Sequence, residues 1–311
     1  GYTNGSMMTR HTRGKVTWID LESPTHQELN AVMEEFNINS RIEDEIISPT
    51  PYPISITFPD YEYMVLHFPT AGGAEGTRTQ EVDFIVGKHF LITARYEVVE
   101  SLHSLHRVFE AEELLGVPDK DLSTQVLVEQ SLRRLYAAIS GEAERLLRAL
   151  ERIEDDIFSG KERATVRSIS EVSRILLKFD TVLTRHKEPL TEFLTELQSS
   201  NFFGKQFAEY ASRIEAEREH AASIVASYRA VASELRITND SLLSAAQNEI
   251  MKQLTIMSFI ILPLTLITGV FGMNVETMPI VHTAEAFWVI LALMTTLIVL
   301  FFGFFKWKRW F

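Results

Sequence analysis

Asn248, Met251, Thr255, Ser258, Leu262, Thr265 and Gly269 step by three or four, so on a helix they share one face. They lie in or beside an apolar run, Met251 to Phe271, whose single charge is Lys252 at its start. Polar groups at membrane depth are tolerated where they meet protein or water, so such a face can line a path for a polar solute. A plainer reading stands beside it, in which Ser258 and Thr265 bond their own helix or a neighbouring one. Pro263 removes one helix hydrogen bond and either bends the span or is a silent kink. Enzymatic chemistry is not indicated. No nucleophile–base pair or metal-ligand cluster has catalytic spacing, and the absence of cysteine excludes disulfides and thiolate metal sites.

The elements that would position this face follow from length and charge. A bilayer core of about 30 Å takes about 20 apolar residues in a helix. Residues 251–271 meet that length, and residues 286–305 meet it without a charge. They predict a membrane hairpin; the competing reading is two core helices of a soluble domain. Lys252 precedes the first span, and Lys306, Lys308 and Arg309 follow the second, whereas residues 272–285 carry Glu276 and Glu285 but no Lys or Arg. The positive-inside rule then puts both termini in the cytoplasm and the short loop outside, as for a multi-pass protein of a bacterial inner membrane. Trp288, Trp307 and Trp310 stand where interfacial aromatics sit.

The end of the first span carries a more specific signal. Gly272-Met273-Asn274, then Val275-Glu276 and Met278-Pro279, resembles the GMN signature of the CorA family of divalent-cation transporters. Agreement extends upstream through Asn248-Glu249, Met251-Lys252, Leu254-Thr255, Pro263-Leu264-Thr265 and Gly269. The resemblance implies a funnel-shaped homopentamer, with five first spans around an axial pore and the second spans outside them. It implies pore-lining roles for Asn248, Met251, Leu254, Leu262 and Thr265, and a selectivity filter at Gly272, Met273 and Asn274. Rings of Met251, Leu254 and Leu262 would form apolar constrictions able to gate by dewetting. A ring of Asn274 amides would bond the water shell of Mg²⁺, an ion that dehydrates reluctantly, and hold it through water rather than directly. Gly272 would let the backbone turn out of the helix.

Two positions depart from the family pattern. Phe271 stands where Tyr is common, and Ile280 where an acidic residue commonly follows Met-Pro. Glu276 and Glu285 would partly replace the lost attraction for cations. His282 is either a zinc or nickel ligand or a plain exposed histidine, which keeps a zinc-transporting branch of the same superfamily beside the Mg²⁺ reading, with Co²⁺ and Ni²⁺ as further cargo. A third reading is a membrane-anchored coiled-coil protein that transports nothing. Beyond the carried ion no cofactor is expected; the expected partners are further copies of the chain, the bilayer and divalent cations.

The chain has 311 residues, 46% of them hydrophobic, enough for an α/β domain and a long helical part. Its net charge of −12, concentrated before residue 251, argues against nucleic acid and suits a neighbourhood visited by cations. Residues 1–6 read as a cloning remnant, and no secretory signal is visible. Strands are expected from Lys15 to Leu21, Ile54 to Phe58 and Tyr61 to Phe68, with a hairpin about Gly87-Lys88 in Glu81 to Tyr96. Ser23-Pro24 predicts a helix start, with helices to Phe36 and from Ser40 to Ile47. The glycine-rich residues Ala71 to Thr77 lack the Gly-Lys-Ser/Thr of a phosphate cradle. Helices follow over Val98 to Leu115, Leu122 to Gly160 and Arg163 to Ser199, the last kinked at Pro189.

From Lys205 one helix is expected to reach Phe271. Its apolar stripe is Phe207, Ile214, Ala221, Tyr228, Leu235 and Leu242, with Tyr210, Ile224, Val231 and Ala245 beside it, and it either lines an oligomer axis or packs only on neighbouring helices of its own chain. The expected organisation is an α/β domain (7–120), a helical region (121–202), a stalk (203–250), the first span (251–271), the loop (272–285), the second span (286–305) and a basic tail (306–311). Glu43-Asp44-Glu45, Glu110 to Glu113 and Glu154-Asp155-Asp156 are acidic enough to serve as regulatory cation sites.

Overall fold

The computed structural model describes residues 7–70, 78–96, 99–114, 123–199, 201–273 and 285–308. The chain divides into two units, residues 1–236 and 237–311.

The first unit is built on a six-stranded sheet. Strands β1 (Met7–Arg13), β2 (Val16–Glu22), β3 (Ile54–Thr57), β4 (Tyr61–Thr70), β5 (Arg78–Gly87) and β6 (Phe90–Arg95) take the order β1-β2-β6-β5-β4-β3. Only β2 and β6 pair parallel; the rest are antiparallel. The expected hairpin at Gly87-Lys88 is β5–β6, with Val86 opposite Leu91. Strand β1 was not expected, because MMTRHTR alternates poorly. It is an edge strand turned onto β2 at Gly14, whose φ of 59° falls where glycine is favoured.

The run YEYMVLHF is apolar on both strand faces because both faces are covered. On one face, Ile19, Leu21, Tyr63, Val65, Ile85 and Ile92 pack with Leu29, Val32 and Met33 of α1 (His26–Glu35) and Ile42 and Ile46 of α2 (Ser40–Ile47). Full burial of each aliphatic side chain contributes about 1.5–3 kcal/mol. Helix α1 starts later than Ser23-Pro24. Thr25 caps it in a reciprocal box with Glu28: Thr25 Oγ1 accepts from Glu28 N at 3.2 Å, and Thr25 N donates to Glu28 Oε2 at 2.9 Å.

The opposite face meets helices α3 (Glu100–Leu114), α4 (Thr124–Phe158) and α5 (Glu162–Leu197). Trp18 stacks on His106 of α3 with ring centroids 4.0 Å apart, and Phe68 meets Tyr136 of α4 and His186 of α5 at 5.6 and 5.0 Å. The helices after residue 120 therefore complete the core of the sheet. Pro189 lies inside α5 without ending it.

Helix α6 (Ala208–Phe271) follows a short 3₁₀ turn, Gly204–Phe207. Within the first unit its buried stripe is Phe207, Ala211, Ile214, Arg218, Ala221, Val225, Ala232 and Leu235. The expected a-type positions Phe207, Ile214, Ala221 and Leu235 are in it, but Ala211, Val225 and Ala232 replace their neighbours Tyr210, Ile224 and Val231. Side chains flanking the stripe bond α4 and α5: Arg213 Nε to Glu129 Oε1 at 2.5 Å, Arg133 to Glu217 at 3.4 Å, Thr191 to Glu215 at 2.7 Å, and Arg229 to Asp180. This part of the stripe packs against the chain's own helices, as in the second of the two sequence readings. A heptad pattern names an apolar seam and not the helix that fills it. The second unit holds the rest of α6 and α7 (Ala286–Trp307).

Candidate functional site

Both α7 and the end of α6 are long and apolar enough to cross a membrane, and their side chains are largely exposed in the single chain. That composition leaves no interior for them in water, as expected of lipid- or subunit-facing helices. Asn248, Met251, Leu254, Leu262 and Thr265 all lie exposed on α6, with Leu262 68% accessible.

The hydroxyls on this face bond the helix itself. Thr255 Oγ1 donates to Met251 O at 2.7 Å, Ser258 Oγ to Leu254 O at 2.9 Å, and Thr265 Oγ1 to Ile261 O at 3.0 Å. The plainer sequence reading of Ser258 and Thr265 is therefore correct as far as their protons go. Each oxygen then presents only lone pairs outward, and acceptors are what the water shell of a cation needs. Lys252, at the head of the span, lies 3.4 Å from Glu249 one turn earlier.

What singles out the face is where α7 packs. Ile256 is buried at 5% exposure and Phe305 at 4%, and the Phe259 and Phe305 rings meet with centroids 6.4 Å apart. Ile256 is five residues from Met251, about 140° around the helix at 100° per residue. Phe259, which meets α7, is about 80° from Met251, so α7 covers the side from Phe259 toward Ile256 and leaves Met251, Ser258 and Thr265 exposed. Phe305, next to Lys306, meets the opening turns of the α6 span, as in an antiparallel hairpin with the two lysine-bearing ends together. Sequence reading did not single out Ile256, Phe259 or Phe305, since in a uniformly apolar run nothing marks the residue that a partner helix will cover.

At its end α6 closes through Gly272 N donating to Thr268 O at 2.9 Å and Met273 N to Val270 O at 3.2 Å. A Cβ at Gly272 would stand 2.8 Å from Thr268 O, so the last turn requires a residue without one. Met273 is exposed beyond it, as is Glu285 before α7. Asn274, Glu276 and His282 lie outside the described residues.

Among the described residues, no three His, Asp or Glu side chains gather so as to hold a metal ion. Asp156, in one of the acidic clusters, pairs with Lys161 at 2.7 Å.

A family model described as "CorA-like Mg2+ transporter protein" matches residues 13–309. The chain is 22% identical over 296 residues to the cobalt/magnesium transport protein CorA of Methanocaldococcus jannaschii, covering 95% of this chain and 92% of that protein. It is 22% identical over 297 residues to the protein of the same description from Thermotoga maritima, covering 94% and 83%. The solved structure of the complete CorA magnesium transporter from M. jannaschii matches with a TM-score of 0.83 at 21% identity, over 96% of this chain and 92% of that one, which shows a shared fold.

Proposed function

Since the chain belongs to the CorA-like Mg2+ transporter family, we propose that it carries Mg²⁺ through a pore lined by the Met251 face of α6, with Co²⁺ as related cargo. The protein is a CorA-type divalent-cation transporter of the membrane. The finer reading is a homopentamer with both termini cytoplasmic and residues 272–285 outside. In it Asn248, Met251, Leu254, Leu262 and Thr265 line the axis, and Gly272, Met273 and Asn274 form the filter. The observation that carries this reading is the bare face itself: Met251, Ser258 and Thr265 stay exposed while Phe259, about 80° around the helix from Met251, meets Phe305 of α7, so copies of α6 can meet around an axis with α7 to the side.

On this arrangement the parts have distinct work. The side chains of Met251, Leu254 and Leu262 narrow the path without offering a ligand, so a dewetted segment blocks ions until it widens. Thr255, Ser258 and Thr265 oxygens accept hydrogen bonds from the ion's water. Asn274 amide oxygens select a hydrated divalent ion at the mouth by charge density, holding it weakly enough to release it. Glu285, with Glu276, raises the local cation concentration.

The test is flux into liposomes holding Mg²⁺- and Zn²⁺-sensitive dyes, with the parent protein and Asn274→Ala side by side. Mg²⁺ entry that falls about tenfold or more in the variant is the expected result, a loss of about 1.4 kcal/mol or more. Unchanged Mg²⁺ entry in Asn274→Ala would remove the filter assignment. Zn²⁺ entry without Mg²⁺ would move the protein to zinc and make Ile280 and His282 the next targets, and flux of neither would leave an anchor.

A further inference from the structure

A cavity of about 790 Å³ opens in the first unit between α5, the segment before β3, and strands β4 and β5. That is the size of an ordinary small-molecule site. One wall is a stripe of α5, Arg174, Leu177, Lys178, Thr181 and Arg185, at spacings that share one helix face. Arg174 to Arg185 covers about 16 Å of helix. The facing wall includes Pro51 and Pro53, and His67 and His186 also line the space.

The protein is acidic overall, at −12, and Arg167 of the same helix, outside the cavity, meets Glu171 at 2.9 Å. Arg174 and Arg185 have no ion partner among the described residues. His67 Nε2 donates to Thr50 O, 2.7 Å away, while its buried Nδ1 has no hydrogen-bond partner among the described residues. His186 is spent on Tyr136 and the His67 carbonyl, and burial pushes its imidazole down to about 3, so it is a neutral wall. Leu177, half exposed, leaves an apolar strip between the cations.

The geometry points to a binding site for a nucleoside di- or triphosphate: the phosphates lie between Arg174 and Arg185, and the base lies against Leu177, Pro51 and Pro53. An elongated polyanion matches the spaced cations, and arginine forks suit phosphate oxygens. A flat ring matches the apolar strip, which a simple phosphate would leave wet. Nothing in ion conduction calls for these cations, so the site is separate from the α6 face.

The full-length protein in nanodiscs, with EDTA present so that no metal bridges the ligand, is titrated with a fluorescent ATP analogue. ATP, ADP, adenosine and pyrophosphate then compete. ATP and ADP displacing the probe, with adenosine inert and pyrophosphate about tenfold or more weaker than ATP, is the expected result. The double variant Arg174→Glu/Arg185→Glu should weaken ATP about tenfold or more. Thr181→Trp, which fills the cavity without changing charge, should do the same, and Arg167→Glu should bind as the parent does. Unfolding temperatures are read for every variant, so that lost binding in a folded protein is separated from misfolding. Absence of probe binding at millimolar concentration overturns the proposal. So does pyrophosphate equal to ATP, or an equal loss in Arg167→Glu, since the first means a bare anion site and the second a diffuse charge effect.

Discussion

Gly272 N lies 2.9 Å from the Thr268 carbonyl oxygen, and a Cβ on Gly272 would come within 2.8 Å of the same atom. One oxygen thus closes the last turn of α6 and forbids a side chain there. Backbone cannot yield to that contact as the tip of a flexible side chain could. Gly272→Ala must therefore open the turn and displace Met273 and Asn274. The expected outcome is a fall in Mg²⁺ flux of about tenfold or more, in the range a misplacement of about 1 Å can cause, with the unfolding temperature of the first unit unchanged. Retained flux would mean that the residues after Gly272 are not held by this turn.

The antiparallel meeting of Phe259 and Phe305 makes a topology prediction, and the chain's lack of cysteine makes it easy to read. Single cysteines at Glu285 and Lys308 report the two ends of α7. In intact cells an impermeant thiol reagent should label Glu285→Cys, while Lys308→Cys should react only after permeabilisation. A paired Phe259→Cys/Phe305→Cys variant should cross-link within one chain. Labelling of Lys308→Cys from outside would reverse the proposed orientation.

Glu62 of β4 is buried beneath α5, with Thr57 Oγ1 donating to Oε2 at 3.2 Å and Oε1 without a partner among the described residues. Burial, reinforced by Glu196 and Glu192, raises its carboxyl from 4.5 to about 8. The folded protein therefore holds a proton that the unfolded chain has released. Stability from this group is complete below about 4.5 and is lost as pH rises through about 8. His186 has the opposite sign: burial lowers it to about 3, so its contribution is complete above 6.5 and fails as pH falls. Glu62→Gln, which fixes the protonated shape, should remove the alkaline loss and raise the unfolding temperature by several degrees at about pH 9, leaving the acid limb in place. An alkaline limb identical in parent and variant would show that Glu62 ionises freely.

The sequence was most informative where the pattern itself is the physics. Apolar length and flanking lysines marked the two spans, and YEYMVLHF marked a strand. It was weaker where competing local bonds decide the outcome. Ser23-Pro24 is a good helix start on composition, but the reciprocal Thr25–Glu28 box satisfies two end groups and moves the start to His26. Met7–Arg13 is a strand only because β2 offers it an edge. In the candidate site, the stepping residues Met251, Ser258 and Thr265 are exposed on α6, and Gly272 stands just past its end. The side that α7 covers was not legible, since Ile256 and Phe305 differ from their neighbours only in what they touch. The cations of α5 were passed over because their significance depends on a cavity closed by residues about a hundred positions away in sequence.

The stripe of α6 offers a test of which surface is internal to one chain. Ile214 and Val231 both stand in the apolar pattern read from the sequence, yet Ile214 is 0% exposed and Val231 37%. If α4 and α5 fill the seam, as Arg213–Glu129 and Thr191–Glu215 indicate, the two truncations must differ. Ile214→Ala leaves a cavity in a packed interior and should cost about 2–5 kcal/mol. Val231→Ala removes methyls that already face outward and should stay within about 0.5 kcal/mol. Thermal unfolding of both variants at several protein concentrations decides the matter. A Val231→Ala cost as large as that of Ile214→Ala, growing as the protein is diluted, would mean that Val231 is buried between copies and that this level of α6 belongs to the oligomer axis after all.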